Sequence, residues 1–171
     1  MSLDLTNVIV SFAVGTVGAG FASAIIKKRF DSEFDIWKVQ RDWKRDSVTE
    51  LLGPVYAQLM RSSAAFDRWV AQGRNTFIET EVIKTANQTI RDLLLTKSHL
   101  VPPDLREDAQ KLVLHYDVWL EEFARVRTDH TEGDGPRFVF VGPKGYPFPR
   151  EADLHFRKVF EEYWRDLYQK I

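Results

Sequence analysis

The chain has 171 residues, enough for one domain and a short additional element. Its 24 basic and 25 acidic residues give a net charge of −1, which offers no global argument for nucleic-acid binding. The absence of cysteine excludes a disulfide framework and thiol chemistry.

The first predicted element is a transmembrane helix near the N-terminus. The 22 residues from Leu5 to Ile26 carry no charge, and at about 1.5 Å rise per residue they would span roughly 33 Å, close to the ~30 Å hydrocarbon thickness of a bilayer. A cleaved signal peptide would need basic residues before the apolar run, whereas Lys27-Lys28-Arg29 follow it. We therefore expect a retained anchor at residues 1–29 and a helical-bundle domain at residues 30–171. The positive-inside rule predicts a single-pass protein with its N-terminus outside and its C-terminal domain in the cytoplasm.

Small residues line two faces of this predicted helix. Small side chains let helix backbones approach closely in lipid. Two such faces would give each copy two neighbours, which predicts a ring of subunits, and their hydroxyl and amide groups could line water. The residues predicted to mediate oligomerisation or to line a pore are Asn7, Ser11, Gly15, Gly18, Ala19, Ala22 and Ser23. The alternative is ordinary anchor composition, because glycine is common in transmembrane helices.

After the anchor, apolar residues recur at helical spacing, which predicts four helices and an all-α bundle. The first helix covers residues 30–73, and Gly53-Pro54 predicts a kink or a break within it. The second covers residues 78–98. The third covers residues 104–127, where an aspartate provides the predicted N-cap. The last covers residues 151–170.

A short β-hairpin-like insertion is predicted between the third and fourth helices. Residues 137–141 fit a short strand, and residues 142–145 fit a turn. Basic residues interleaved with aromatic residues can hold phosphates and stack bases. The candidate ligand-binding residues are Arg137, Lys144, Arg150, Phe138, Phe140 and Tyr146. The alternative is a hairpin whose aromatic side chains cover one end of the bundle.

The sequence contains no pattern typical of a catalytic or metal site. None of the histidines at 99, 115, 130 and 155 has a second His, Cys or acid at a recognised ligand spacing, so no metal ion is expected. There is no Gly-rich phosphate loop and no serine in a nucleophile elbow. We therefore expect a protein that is not an enzyme and has no cofactor.

One short pattern is similar to a known active site. Arg150-Glu-Ala-Asp-Leu-His155 resembles the active-site motif of HEPN ribonucleases, which are small helical bundles. The resemblance implies that Arg150 and His155 would act on a phosphodiester across a dimer. Glu151 stands where that family usually has another polar residue. Ribonuclease activity is therefore a minor alternative to a helix start with an exposed Arg and a partly packed His.

Four features carry a second resemblance: the Gly/Ala-rich anchor, Lys27-Lys28-Arg29, and the segments 50–56 and 115–120. Together they resemble the small single-pass membrane effectors of bacterial anti-phage defence systems. The resemblance implies a homo-oligomeric membrane effector, a gated pore or ion channel that disrupts the inner membrane under the control of its cytoplasmic domain. The implied partners are membrane lipid, further copies of the chain, and a nucleotide or oligonucleotide regulator or a partner protein. The alternative is a membrane-tethered binding or scaffold module that recruits a protein or a nucleotide.

Overall fold

The computed structural model describes residues 31–72, 75–128 and 146–169. The chain divides into two compact units, Met1–Asp42 and Trp43–Ile171. In the first unit, residues 31–42 are α-helical and almost entirely exposed. Phe34 stacks on Trp37 at 5.9 Å between ring centroids, and the Arg41 guanidinium lies 5.2 Å from the centre of the Trp37 ring.

The second unit contains four helices. Helix α1 comprises residues 43–72, with a π-helical turn at Ser47–Leu52 followed by the α-helix Gly53–Gln72. Helix α2 comprises residues 76–96, with a π-helical turn at Ile78–Lys84 followed by Thr85–Thr96. Two 3₁₀ turns, Ser98–Leu100 and Pro103–Leu105, lead to α3 at Arg106–Thr128. Helix α4 is Arg150–Tyr168.

Two clusters of buried apolar residues hold these helices together. The larger cluster draws on all four helices and on the turns before α3. The smaller one joins the later part of α1, the start of α2 and the later part of α3. The larger cluster includes Leu51, Leu52, Val55, Leu59, Ile90, Leu94, Leu105, Leu112, Tyr116, Ala152, Phe156 and Val159. The smaller cluster consists of Ala65, Ile78, Ile83, Trp119 and Phe123.

The π turn in α1 explains how the helix passes Gly53 and Pro54. The Gly53 N–H donates to the carbonyl of Val48, five residues back. A Cβ atom at Gly53 would lie 2.8 Å from that oxygen, so this close approach needs glycine. The wider turn also gives room to the Pro54 ring, which in an α-helix clashes with the carbonyl four residues back. The helix therefore does not break at Gly53-Pro54 but continues through a π turn.

Polar contacts join the start of α1 to the turn after α2. The buried Ser47 hydroxyl donates to the Leu100 carbonyl at 2.8 Å, and Trp43 Nε1 donates to the His99 carbonyl at 3.2 Å. Lys97 Nζ pairs with Glu50 Oε2 at 2.7 Å, and this pairing lowers the pKa of Glu50. These contacts fix the register of α1 against α2.

The predicted four-helix bundle is confirmed, but the predicted fold class is wrong in two respects for the residues described. Residues 31–72, 75–128 and 146–169 contain no β-strand and no β-hairpin. No helix among them is long and apolar enough to cross a bilayer, because charged residues recur along each of them. The predicted transmembrane segment, residues 5–26, and the predicted strand, residues 137–141, lie outside the described residues.

Candidate functional site

A cavity of about 360 Å³ lies inside the second unit, where the two apolar clusters meet. All four helices and the segment before α4 contribute to its walls. Its apolar lining consists mainly of Leu59, Phe66, Ile83, Trp119, Phe148 and Leu154. Polar side chains interrupt this lining at several points, and they give the cavity its chemistry.

Asn87 is the polar group that α2 contributes. It lies on the buried face of the helix, between Ile83 and Ile90, and its side chain is only 4% exposed. Its Oδ1 accepts a hydrogen bond from Ser62 Oγ at 3.3 Å. The Asn87 Nδ2 group donates to no other described residue. Since Nδ2 is not among the fully buried atoms that lack a partner, it is open to the cavity and can donate to a molecule there.

Tyr116 of α3 presents a second such group. The residue is 1% exposed and lines the cavity, and its hydroxyl is bonded to none of the residues described. Burial, reinforced by the nearby Asp153 carboxylate, raises the pKa of Tyr116 far above its usual value. The hydroxyl therefore stays protonated and able to donate a hydrogen bond.

The Asp153 carboxylate near Tyr116 is already paired with a cation. Arg157 Nε donates to Asp153 Oδ1 at 2.8 Å, one turn back along α4. Both side chains are largely buried, and Arg157 also contacts the sulfur of Met60 on α1. The pair lines the cavity without adding net charge to its inner part.

His115 is held by the segment before α4. Its Nδ1 lies 3.1 Å from the Tyr146 carbonyl, and since a carbonyl only accepts, Nδ1 carries the proton of this hydrogen bond. The Phe148 ring lies edge-on to the imidazole at 5.4 Å between centroids. Burial lowers the pKa of His115, and hydrogen bonds to the carbonyls of Tyr146 and Pro147 offset part of this effect. Burial therefore favours the neutral imidazole.

Arg150 lines the exposed edge of the cavity. It is the first residue of α4, and its guanidinium forms no ion pair or hydrogen bond with any described residue. Asp67 of α1 is also exposed and also lines the cavity. This exposed edge is the mouth of the cavity. It carries one cation, Arg150, and one anion, Asp67, that do not belong to the Arg157–Asp153 pair.

Metal binding has no support in the described part of the chain. No group of three His, Asp or Glu side chains there is arranged to hold a metal ion.

Two of the predicted ligand-binding residues fall within the described structure. Arg150 lines the cavity, whereas Tyr146 binds His115 through its backbone carbonyl and keeps its side chain exposed. The other predicted ligand-binding residues, Arg137, Phe138, Phe140 and Lys144, lie outside the described residues. So do the predicted oligomerisation residues Asn7, Ser11, Gly15, Gly18, Ala19, Ala22 and Ser23.

Arg150 and His155, the pair with the HEPN-like spacing, have different surroundings. Arg150 lines the cavity, whereas His155 does not and instead places Nδ1 2.7 Å from Asp108 Oδ2 on α3. Residues five apart on an α-helix are about 140° apart around its axis. Arg157, at seven residues, returns to the Arg150 face and lines the cavity with it.

Sequence reasoning missed Asn87 and Arg157 as site residues. The signal for Asn87 was available, because a single amide within an otherwise apolar helical face needs a partner or a ligand. Arg157 could have been found from its spacing, because it lies seven residues after Arg150 and four residues after Asp153, which places the three on one side of a helix.

No family model, no curated protein and no solved structure matches this chain.

Proposed function

We propose that the second unit, Trp43–Ile171, is a small-molecule-binding domain whose ligand occupies the interhelical cavity. The observation that carries this proposal is the pair of unused donors, Asn87 Nδ2 and the Tyr116 hydroxyl. Both groups line the same cavity, so a ligand that supplies two acceptors could bond to both of them.

The size and lining of the cavity support the proposal. Ligand pockets usually enclose roughly 300–1,000 Å³ and combine apolar walls with a few placed polar groups. The cavity has about 360 Å³, aromatic walls, and polar groups from α1, α2, α3 and α4. A molecule of one or two rings fits this volume.

The polar groups are held in place before any ligand arrives. Ser62 orients the Asn87 amide through their hydrogen bond, and the Tyr146 carbonyl holds the His115 ring. Asp153 holds Arg157 in position. Such preorganisation reduces the entropy that binding would otherwise lose.

This proposal develops the predicted alternative of a binding module that takes a nucleotide. The homo-oligomeric pore or ion channel of anti-phage defence depends on the predicted anchor, residues 1–29, which lies outside the described residues. It stays a prediction.

The test is a thermal-shift screen against neutral planar compounds, including benzamide, nicotinamide and the four ribonucleosides. At a hundredfold excess over Kd, a ligand stabilises the fold by about 2.7 kcal/mol, which raises Tm by roughly 5–10 °C in a chain of this size. Ser63 is exposed and lines the cavity, so Ser63→Trp should fill it and remove the shift. Ala64→Trp is the matched control, because Ala64 is its exposed neighbour on α1 and does not line the cavity.

A saturable shift that survives Ala64→Trp and disappears in Ser63→Trp would support the proposal. The absence of any shift across the screen, or equal shifts in both variants, would overturn it.

A further inference from the structure

We infer that the ligand is a planar heteroaromatic ring carrying an anionic group, the chemistry of a nucleotide, with its ring inside the cavity and its anion at Arg150. This inference rests on the proposed function and adds the ligand class and its orientation. The inference depends on how the polar groups of the cavity differ in their burial. Asn87 and Tyr116 are at least 96% buried, whereas Arg150 is exposed.

The inner end of the cavity suits neutral hydrogen-bond acceptors. Asn87 Nδ2 and the Tyr116 hydroxyl both have a proton to donate, and ring nitrogens or ring carbonyls would accept them. An anion is disfavoured here, because Arg157 is already paired with Asp153 and a second buried negative charge would meet that carboxylate.

The walls suit a planar ring. Phe66, Tyr116, Trp119 and Phe148 all line the cavity, and they come from α1, from α3 and from the segment before α4. Aromatic side chains bind flat heterocycles through their faces and edges, and such stacking tolerates different bases.

The mouth suits the anion. The Arg150 guanidinium makes no ion pair or hydrogen bond with a described residue, and it presents several donors in a planar fork. Arg150 also begins a helix of 19 residues, although Glu151 and Asp153 in its first turn already offset the attraction of this N-terminal end for an anion. Asp67 opposes this effect, so the preference for an anion should rise when Asp67 is neutralised.

The experiment compares the four ribonucleosides with their 5′-monophosphates by isothermal titration, with inorganic phosphate alone as a further probe. At least one monophosphate should bind about tenfold more tightly than its nucleoside, the effect of a charge-assisted contact. Arg150→Gln should reduce this ratio to about one. Arg165→Gln is the matched control, because Arg165 is an exposed arginine of the same helix that does not line the cavity, and it should keep the ratio. Asp67→Asn should increase the ratio of monophosphate affinity to nucleoside affinity.

Tyr116→Phe distinguishes the contribution of the ligand's ring to binding from that of its anionic group. It removes only the inner hydroxyl, so it should weaken nucleoside and monophosphate by the same factor, about tenfold, and leave their ratio unchanged. Equal binding of nucleoside and monophosphate by the unmodified protein would overturn the inference, as would inorganic phosphate binding as tightly as the monophosphate. A third outcome is that no nucleoside or nucleotide binds, while neutral fragments still bind and lose their binding in Ser63→Trp. That result would overturn the inference and leave the proposed function standing. Failure of all the probes would overturn both.

Discussion

Ser62 Oγ donates to Asn87 Oδ1 at 3.3 Å, and this hydrogen bond decides which end of a buried amide faces the cavity. Because Oδ1 is occupied, the Nδ2 group is the end that remains for a ligand. The helix α2 thus carries a polar group on its buried face that the fold itself only half satisfies. Ser62 acts on the site by positioning this amide.

Tyr116→Phe should leave the unliganded domain as stable as before, or stabilise it by up to about 1 kcal/mol. The hydroxyl has no partner among the described residues, so removing it breaks no hydrogen bond to them. Chemical denaturation of the two proteins measures this difference. A loss of more than about 1 kcal/mol would mean that the hydroxyl is already bonded in the folded chain, and the argument from an unused donor would fail.

His115 should make the stability of the domain depend on pH between about 5.5 and 7.5. Its folded pKa lies below the unfolded value of 6.5, because burial disfavours the charged ring. The unfolded chain therefore binds the proton first, so the stabilisation is complete above the unfolded pKa and is lost as the pH falls below it. The loss can reach about 1.4 kcal/mol per pH unit.

The measurement for His115 is urea denaturation at pH 7.5 and at pH 5.5, for the unmodified chain and for His115→Gln. The unmodified chain should lose more stability than the variant over this interval, because the variant lacks this imidazole. Equal losses in the two proteins would contradict a buried neutral imidazole.

Gly53→Ala should destabilise the domain by about 1–3 kcal/mol, the usual effect of overpacking. The new Cβ would lie 2.8 Å from the Val48 carbonyl oxygen, which belongs to the backbone and cannot move aside cheaply. In an unobstructed helix the same change stabilises by up to about 1 kcal/mol, so the sign of the effect is diagnostic. Thermal unfolding measures it, and a rise in Tm would show that the π turn at Ser47–Leu52 is absent or adaptable.

Ser47→Ala should cost about 1–3 kcal/mol, because it leaves the buried Leu100 carbonyl without the hydroxyl that donates to it at 2.8 Å. Ser98→Ala is the matched control. Ser98 lies in the same connection but is exposed, so its loss should stay within about 0.5 kcal/mol. Similar effects for the two changes in a denaturation series would argue against a specific link between α1 and the turn after α2.

Apolar spacing was enough to predict the bundle but not its local geometry. The expected last helix, residues 151–170, agrees closely with Arg150–Tyr168, because Phe156, Val159 and the neighbouring apolar residues recur at helical intervals. The π turns did not follow from spacing. The turn at Ser47–Leu52 depends on how Gly53 and Pro54 accommodate a backbone carbonyl, which is a matter of three-dimensional contact.

The site was predictable only in part, for a similar reason. Arg150 was recognised as a candidate ligand-binding residue from its basic and aromatic neighbours, and it does line the cavity. Asn87 and Tyr116 come from α2 and α3, and their meeting at one cavity depends on the packing of helices far apart in sequence. A periodicity argument assigns Tyr116 to the core, as is correct, but it cannot show that the hydroxyl lacks a partner there.

The side-chain amide of Asn87 offers the most direct measurement of the central claim. Its two Nδ2 protons give their own pair of signals in a ¹⁵N-correlated NMR spectrum, and they can be followed while the four ribonucleosides and their monophosphates are added. A bound ligand that accepts from Nδ2 should shift both signals saturably, together with the indole signal of Trp119, and Ser63→Trp should abolish the shifts. Signals that stay in place up to millimolar concentrations of every compound, or that move equally in Ser63→Trp, would contradict the assignment of this cavity as a ligand site.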